Sequence, residues 1–191
     1  MKNYILLFLL VSVACTAQKT LDKALLKQYR EALDKHNKEV DSTSASFYYL
    51  RGNISLDYFD YAPAIADFNK AVQLEPGNYK MYHNRGMAKM ENGMLKEAIA
   101  DFDKTLELMP SSVYAYTKRS ACKYALGDYK GAKSDSSIAI GMDSNNAAAY
   151  YHRGLSNYML GSKDNGCVDL NIAYDMGNEK SLEAIKKYCA K

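Results

Sequence analysis

Large apolar residues recur at intervals of three and four along most of the chain, which is the spacing of an amphipathic α-helix. The stretches that begin at Phe47 and at Ala64 both show this pattern. Polar segments that contain glycine, such as Asn92-Gly93 and Gly127-Asp128, separate consecutive helical stretches, and such segments are typical of turns. The pattern therefore predicts an all-α protein built from pairs of antiparallel helices.

One short motif returns every 34 residues. It is an arginine followed by a small residue, with a tyrosine three positions before the arginine and a second small residue twelve positions after the first. The four arginines are Arg51, Arg85, Arg119 and Arg153. Self-similarity at this period indicates helix-turn-helix units that bury their apolar faces by stacking on one another.

The motif resembles the tetratricopeptide repeat (TPR), and the resemblance covers residues 45–180. It implies a right-handed superhelical solenoid of about four repeats, stacked through small residues that let the helices approach closely. An amphipathic helix within residues 18–44 is expected to cap one end, and a helix within residues 181–191 to cap the other. The repeats are expected at 45–78, 79–112, 113–146 and 147–180.

An aspartate follows each motif arginine by sixteen residues. In an antiparallel helix pair whose turn lies midway, the two side chains come to a similar height. They could form a charged binding ladder or a set of ion pairs that tie the helices together, and we favour the second interpretation because every repeat contains both partners. The predicted structural pairs are Arg51 with Asp67, Arg85 with Asp101, Arg119 with Asp135, and Arg153 with Asp169.

The resemblance also implies a groove on the first helices of successive repeats, in which an extended peptide or a partner helix would lie. Tyrosine and methionine provide large, adaptable apolar contacts there, which favours a peptide with apolar anchors. By their position in the motif, the expected groove residues are Tyr49, Asn53, His83, Asn84, Met87, Tyr114, Thr117, Lys118, Tyr151, Leu155 and Tyr158.

Some members of the family clamp a C-terminal carboxylate with lysine and asparagine on these helices. Asn53, Asn84 and Lys118 stand at such positions, but Tyr49 and Tyr114 occupy positions where two further basic residues would be expected. The clamp is incomplete, so we expect the groove to bind an apolar side chain of a peptide rather than its C-terminal carboxylate.

The first 17 residues have the pattern of a secretory signal peptide. Lys2 precedes an apolar run from Tyr4 to Ala14, which is eleven residues long and shorter than the roughly 20 residues of a spanning helix. Cleavage is expected after Ala17, or alternatively before Cys15, whose thiol would then carry a lipid. We therefore expect an exported protein, periplasmic or extracellular, with a lipid on Cys15 as its possible link to the membrane.

Export changes the interpretation of two cysteines. Cys167 and Cys189 lie at similar distances on either side of the turn predicted between the fourth repeat and the last helix. In an oxidising compartment they could form a disulfide, and two buried thiols are the alternative. The predicted export favours the disulfide.

Composition argues against several classes of function. The 25 basic and 22 acidic residues are interspersed and give a net charge of +3, so nucleic acid is not an expected partner. His36, His83 and His152 are scattered, and the sequence contains no metal-ligand spacing, phosphate loop or dinucleotide fingerprint. We expect no cofactor, no metal and no catalysis.

Two hypotheses of function remain. The first is a non-catalytic scaffold or adaptor that binds another protein's peptide segment or helix in the groove. The second is a structural protein of the cell envelope that associates with itself, in which the groove is not a binding site. The contact would then be formed by Leu25 and Leu33 on the N-terminal helix, or by an open end of the array.

Overall fold

A computed structural model describes residues 27–28, 31–35 and 43–189 of the chain. The expected signal peptide, Cys15 and Leu25 lie outside these residues, so the predictions that depend on them stay predictions. Residues 27–28 and 31–35 are helical, which agrees with a helix before the repeats.

The part of the chain from 43 to 189 forms nine α-helices and no strand. The all-α prediction is confirmed, and the helices alternate between first and second members of a pair at the predicted 34-residue period. The helices are α1 (Ala45–Asp57), α2 (Tyr61–Leu74), α3 (Tyr79–Glu91), α4 (Leu95–Leu108), α5 (Val113–Ala125), α6 (Tyr129–Met142), α7 (Ala147–Met159), α8 (Lys163–Asp175) and α9 (Lys180–Tyr188).

Two compact units divide the chain, Met1–Ala71 and Val72–Lys191. In the second unit each helix from α3 to α9 packs against the next one along the chain. The first helices also contact one another in order, α3 with α5, α5 with α7, and α7 with α9. We call the surface that these four helices form the first-helix face.

Short side chains at fixed positions of the motif let paired helices approach closely. A Cβ atom added at Gly154 would lie 2.9 Å from the carbonyl oxygen of Gly166 on the facing helix, and one added at Gly166 would lie 2.8 Å from the carbonyl oxygen of Gly154. In the second repeat, Gly86 instead makes room for the ring of Phe102, which is fully buried. The recurrence of small residues thus has a steric cause.

The turns between paired helices depend on a left-handed residue. In three of the repeats this residue is Gly93, Gly127 or Gly161, with φ between 80° and 86°. Glycine adopts this conformation at little energetic cost. The first repeat has Phe59 at this position with φ 61°. The chain reverses there without the residue type that makes the reversal easy.

Candidate functional site

The four arginine and aspartate pairs meet in the structure. Each arginine donates from Nε and Nη2 to the two carboxylate oxygens of its aspartate over distances between 2.6 and 2.9 Å. Each guanidinium also lies 5.2 to 5.5 Å from the ring centre of the tyrosine three residues earlier. Two-point hydrogen bonding fixes the height of the second helix against the first.

We call the four ion pairs the ion-pair ladder, and two lysines that were not predicted from the sequence also bind its aspartates. Lys89 donates to Asp101 over 2.7 Å, and Lys123 donates to Asp135 over 2.8 Å. Both lysines follow the motif arginine by four residues, which is one helical turn, and this spacing could have revealed them. All four aspartates of the ladder are buried, so these ion pairs hold helices together, and their carboxylates do not form an open charged surface.

The first-helix face contains a cleft near its C-terminal end, with a volume of about 390 Å³. We call it the tyrosine cleft. Its lining comes from α5, α7 and α9, and its apolar part contains three tyrosine rings. The lining residues are Tyr124, Tyr151, Leu155, Lys180, Glu183, Ala184, Lys187 and Tyr188.

Helix α9 forms one wall of this cleft, and two contacts hold the C-terminal end of this helix in place. A disulfide joins Cys189, which follows the helix, to Cys167 of α8, with 5.7 Å between the Cα atoms. The ring of Tyr188 packs on that of Tyr158, with 4.6 Å between the ring centres. The two contacts position Tyr188 opposite the tyrosines of α5 and α7.

The hydroxyl groups of Tyr124 and Tyr151 stay protonated over a wide pH range. Burial raises the pKa of both Tyr124 and Tyr151, and the nearby phenol of Tyr188 raises each of them further. Because these two phenols are neutral, they can donate and accept hydrogen bonds while their rings offer an apolar surface. The cleft is therefore suited to an apolar side chain attached to a polar backbone.

The expected groove residues have different positions. Tyr151 and Leu155 line the cleft, although Leu155 is only 6% exposed and packs with Leu170 and Ala184 of the core. Tyr158 contributes indirectly, through Tyr188. The expectation that Thr117 lines an open groove is wrong, because this residue is buried. Its hydroxyl donates to the carbonyl oxygen of Val113 and accepts a hydrogen bond from Asn146.

The other expected groove residues are spread over both units. Tyr49 packs on Phe68 in the first unit, which also contains Asn53. In the second unit, His83 packs on Phe102, and burial, together with Lys118, lowers the pKa of this histidine. Met87 packs against the core.

Two expected residues of the second unit differ sharply in exposure. Asn84 is partly buried, whereas the side chain of Tyr114 is 73% exposed. The tyrosine cleft includes neither of them, and its other tyrosines, Tyr124 and Tyr188, were not expected. Tyr188 lies outside the repeat motif, so its register against α7 could not be derived from the period.

Reactive chemistry has few candidates among the described residues. Burial raises the pKa of the Cys122 thiol to about 11, so this cysteine is a buried apolar group rather than a nucleophile. Within residues 27–28, 31–35 and 43–189 there is no cluster of three or more histidine, cysteine or carboxylate groups that could hold a metal ion. None of the helices in this part is both long and apolar enough to cross a bilayer.

The stacked helix pairs, joined by a repeated ion pair, define a helical-repeat protein. Two of its repeats, residues 45–78 and 79–112, match the family model of the tetratricopeptide repeat. The fold is accordingly a TPR fold. A search of the curated proteins finds no match to this sequence.

Solved TPR structures resemble the chain at low sequence identity. YrrB, a TPR protein with an unusual peptide-binding site, is 23% identical with a TM-score of 0.71, and the match covers 84% of this chain and 85% of YrrB. A segment of MamA from Desulfovibrio magneticus RS-1 that runs from residue 41 to the end is 19% identical with a TM-score of 0.66, over 76% of this chain and 93% of that segment. The first TPR of Spaghetti (RPAP3), bound to the HSP90 peptide SRMEEVD, is 26% identical with a TM-score of 0.61, over 64% of this chain and 97% of that one.

Proposed function

We propose that this protein is a non-catalytic interaction scaffold that binds a peptide segment of another protein, with one apolar side chain of the segment in the tyrosine cleft. The observation that carries the proposal is the cleft itself, in which Tyr124, Tyr151 and Tyr188 come from three different helices. Rings from separate helices form a preshaped cavity, and rigid aromatic side chains lose little entropy on binding.

The polar groups around the cleft favour a peptide over a free apolar molecule. The neutral phenols can bond to backbone amide and carbonyl groups on either side of the inserted residue. Lys180, Glu183 and Lys187 also line the cleft, so flanking peptide residues meet two positive charges and one negative charge. A peptide with one apolar anchor and a nearby acidic residue fits this arrangement best.

The solved relatives support the same class of function. One TPR protein similar in fold is described with a peptide-binding site, and another is bound to a peptide. The first-helix face of the second unit is the surface on which the cleft of this chain lies.

A peptide selection with matched variants tests the proposal. Wild-type protein is used to select peptides from a random display library, and the affinity of each enriched peptide is then measured by fluorescence anisotropy. We expect Tyr151→Ala to weaken binding by at least about tenfold, which is the loss of one buried aromatic contact. Tyr174→Ala removes a tyrosine from the second-helix side, where 44% of the side chain is exposed, and should leave the affinity unchanged.

Two outcomes contradict the proposed function. One is that the selection enriches no peptide. The other is that the enriched peptides bind Tyr151→Ala and Tyr174→Ala equally well. Circular dichroism of both variants serves as the control that each one retains its helices.

We further propose that the protein acts in an oxidising compartment after export. The apolar N-terminal segment supports this proposal, and so does the disulfide between Cys167 and Cys189. Fractionation of cells that express the full chain, with mass analysis of its N-terminus, distinguishes cleavage after Ala17 from lipidation at Cys15. Intact chain in the cytoplasm contradicts export.

A further inference from the structure

A second cleft lies where α6 of the third repeat meets α7 and α8 of the fourth, and it shares no lining residue with the tyrosine cleft. Its volume is about 430 Å³. We call it the fourth-repeat cleft. Lys133, Ser137, Arg153 and Asn157 are among its lining residues, and its chemistry becomes clear by comparison with the repeat before it.

The third repeat shows what the arginine of this motif can bind. Arg119 uses Nε and Nη2 for Asp135 of its own repeat. Its remaining nitrogen, Nη1, donates over 2.7 Å to Asp103, which lies on the second helix of the preceding repeat. One guanidinium therefore binds two carboxylates, one from each of two neighbouring repeats.

The fourth repeat keeps the first carboxylate and lacks the second. Arg153 binds Asp169 through Nε and Nη2, but Ser137 stands 34 residues after Asp103. The hydroxyl of Ser137 donates to the carbonyl oxygen of Lys133 in its own helix. In the part of the chain that the structure describes, Nη1 of Arg153 has no hydrogen-bond partner.

The charges around this nitrogen favour an anion. Asp169 already balances Arg153, so the charge of Lys133 in the same cleft leaves a net positive charge among these three side chains. Lys133 takes the place of Ile99 of the preceding repeat, 34 residues earlier.

Asn157 also lines this cleft, and it contains a buried polar atom without a partner. It is 5% exposed and donates from Nδ2 to Asp169 over 3.1 Å, but its buried Oδ1 atom has no hydrogen-bond partner among the described residues. A buried acceptor without a donor is costly.

We propose that the fourth-repeat cleft binds the carboxylate of an aspartate or glutamate side chain on a partner protein. The bound carboxylate accepts from Nη1 of Arg153, as Asp103 does from Arg119, and Lys133 contributes to its charge balance. The chain then has two binding surfaces, an apolar cleft on the first-helix face and an acid-binding cleft on a different part of the fold.

NMR titration of the full chain tests this assignment through the Nε–Hε signal of Arg153. The probes are a blocked Gly-Glu-Gly peptide, the blocked Gly-Gln-Gly peptide and inorganic phosphate. We expect a saturable shift with the glutamate peptide and none with the glutamine peptide. No saturable shift with the glutamate peptide, or an equal shift with the glutamine peptide, overturns the proposal. Tighter binding of phosphate than of the glutamate peptide overturns the assignment to a protein carboxylate.

A pair of variants with equal charge distinguishes the cleft from general electrostatics. Ser137→Asp puts a carboxylate where the preceding repeat has one, and we expect it to weaken binding of the glutamate peptide by at least about tenfold. Ser134→Asp makes the same charge change at an exposed position of the same helix and should weaken binding much less. Equal losses in the two variants overturn the proposal.

The thermal midpoints of the same two variants test whether a carboxylate at position 137 binds Arg153 as Asp103 binds Arg119. If the new carboxylate at position 137 binds Arg153, the Ser137→Asp variant unfolds at a higher temperature than the Ser134→Asp variant. Equal midpoints mean that a carboxylate from this helix does not reach Arg153, and the comparison with Asp103 then fails.

Discussion

Reduction of the Cys167–Cys189 disulfide should release α9 and with it one wall of the tyrosine cleft. The bond closes a loop with a sequence separation of 22 residues. In the chain-entropy model a loop of this size contributes about 3 kcal/mol. Since α9 has only nine residues and is the last helix in the part of the chain that the structure describes, we expect this loss to appear as local opening of α9 rather than as unfolding of the second unit.

Hydrogen exchange followed by mass spectrometry measures this opening. A change of about 3 kcal/mol corresponds to exchange that is about 100-fold faster, and we expect it in the peptide fragment that contains α9. The fragment that contains α3 should keep its exchange rate. Binding of a peptide selected on the oxidised protein should weaken in parallel, because Tyr188 lies on α9.

The double variant Cys167→Ser with Cys189→Ser is the matched control. Without reductant it should already exchange as fast in α9 as the reduced wild type, and reductant should change nothing further. An α9 exchange rate that is the same in oxidised and reduced wild type contradicts the prediction that the disulfide holds α9 in place. Equal acceleration in α3 refutes it as well, because the disulfide would then stabilise the whole unit.

Three further predictions concern stability, measured as the free energy of unfolding in urea. Asp101→Asn should cost about 3 kcal/mol because two mostly buried cations lose the carboxylate that they share, whereas Asp103→Asn, at a more exposed pair, should cost about 1 kcal/mol or less. Gly154→Ala should cost about 2 kcal/mol because its new methyl group would meet a backbone oxygen at 2.9 Å, whereas Gly141→Ala, with open space around it, should stabilise the helix slightly. Burial and two nearby lysines lower the pKa of His152 from 6.5 to about 4. Between these two pH values the unfolded chain binds the proton and the folded chain does not, so the free energy of unfolding should fall as the pH drops from about 6.5 towards 4. The His152→Gln variant should show a weaker dependence on pH.

The sequence predicted the ion-pair ladder well because period and spacing repeat together. Sixteen residues separate Arg119 from Asp135 in a helix pair of known length, so the two ends of the contact could be placed at equal height. Arg119 and Asp103 are also sixteen residues apart, but Asp103 precedes the arginine in the chain and belongs to the preceding repeat. It depends on the packing between repeats, which the motif does not specify.

The tyrosine cleft could be predicted only in part, for two physical reasons. Tyr151 stands at a motif position, but Tyr188 belongs to a helix outside the motif, and its register depends on the disulfide and on ring packing. Thr117 occupies the same motif position as Tyr151, yet its short side chain stays against its own helix and bonds to Asn146. The position within a repeat identifies the direction of a side chain, whereas its length decides whether it reaches an open surface.

The uneven distribution of ion pairs between repeats has a consequence for how the second unit comes apart. In a linear array, each interface between neighbours contributes its own share of cohesion. Arg119 bonds the third repeat to the second through Asp103, but Ser137 offers the fourth repeat no such bond. The disulfide, in turn, joins the fourth repeat to α9 alone. Under mechanical tension α8 and α9 should therefore leave the array as one block, and this block should divide only after the disulfide is reduced.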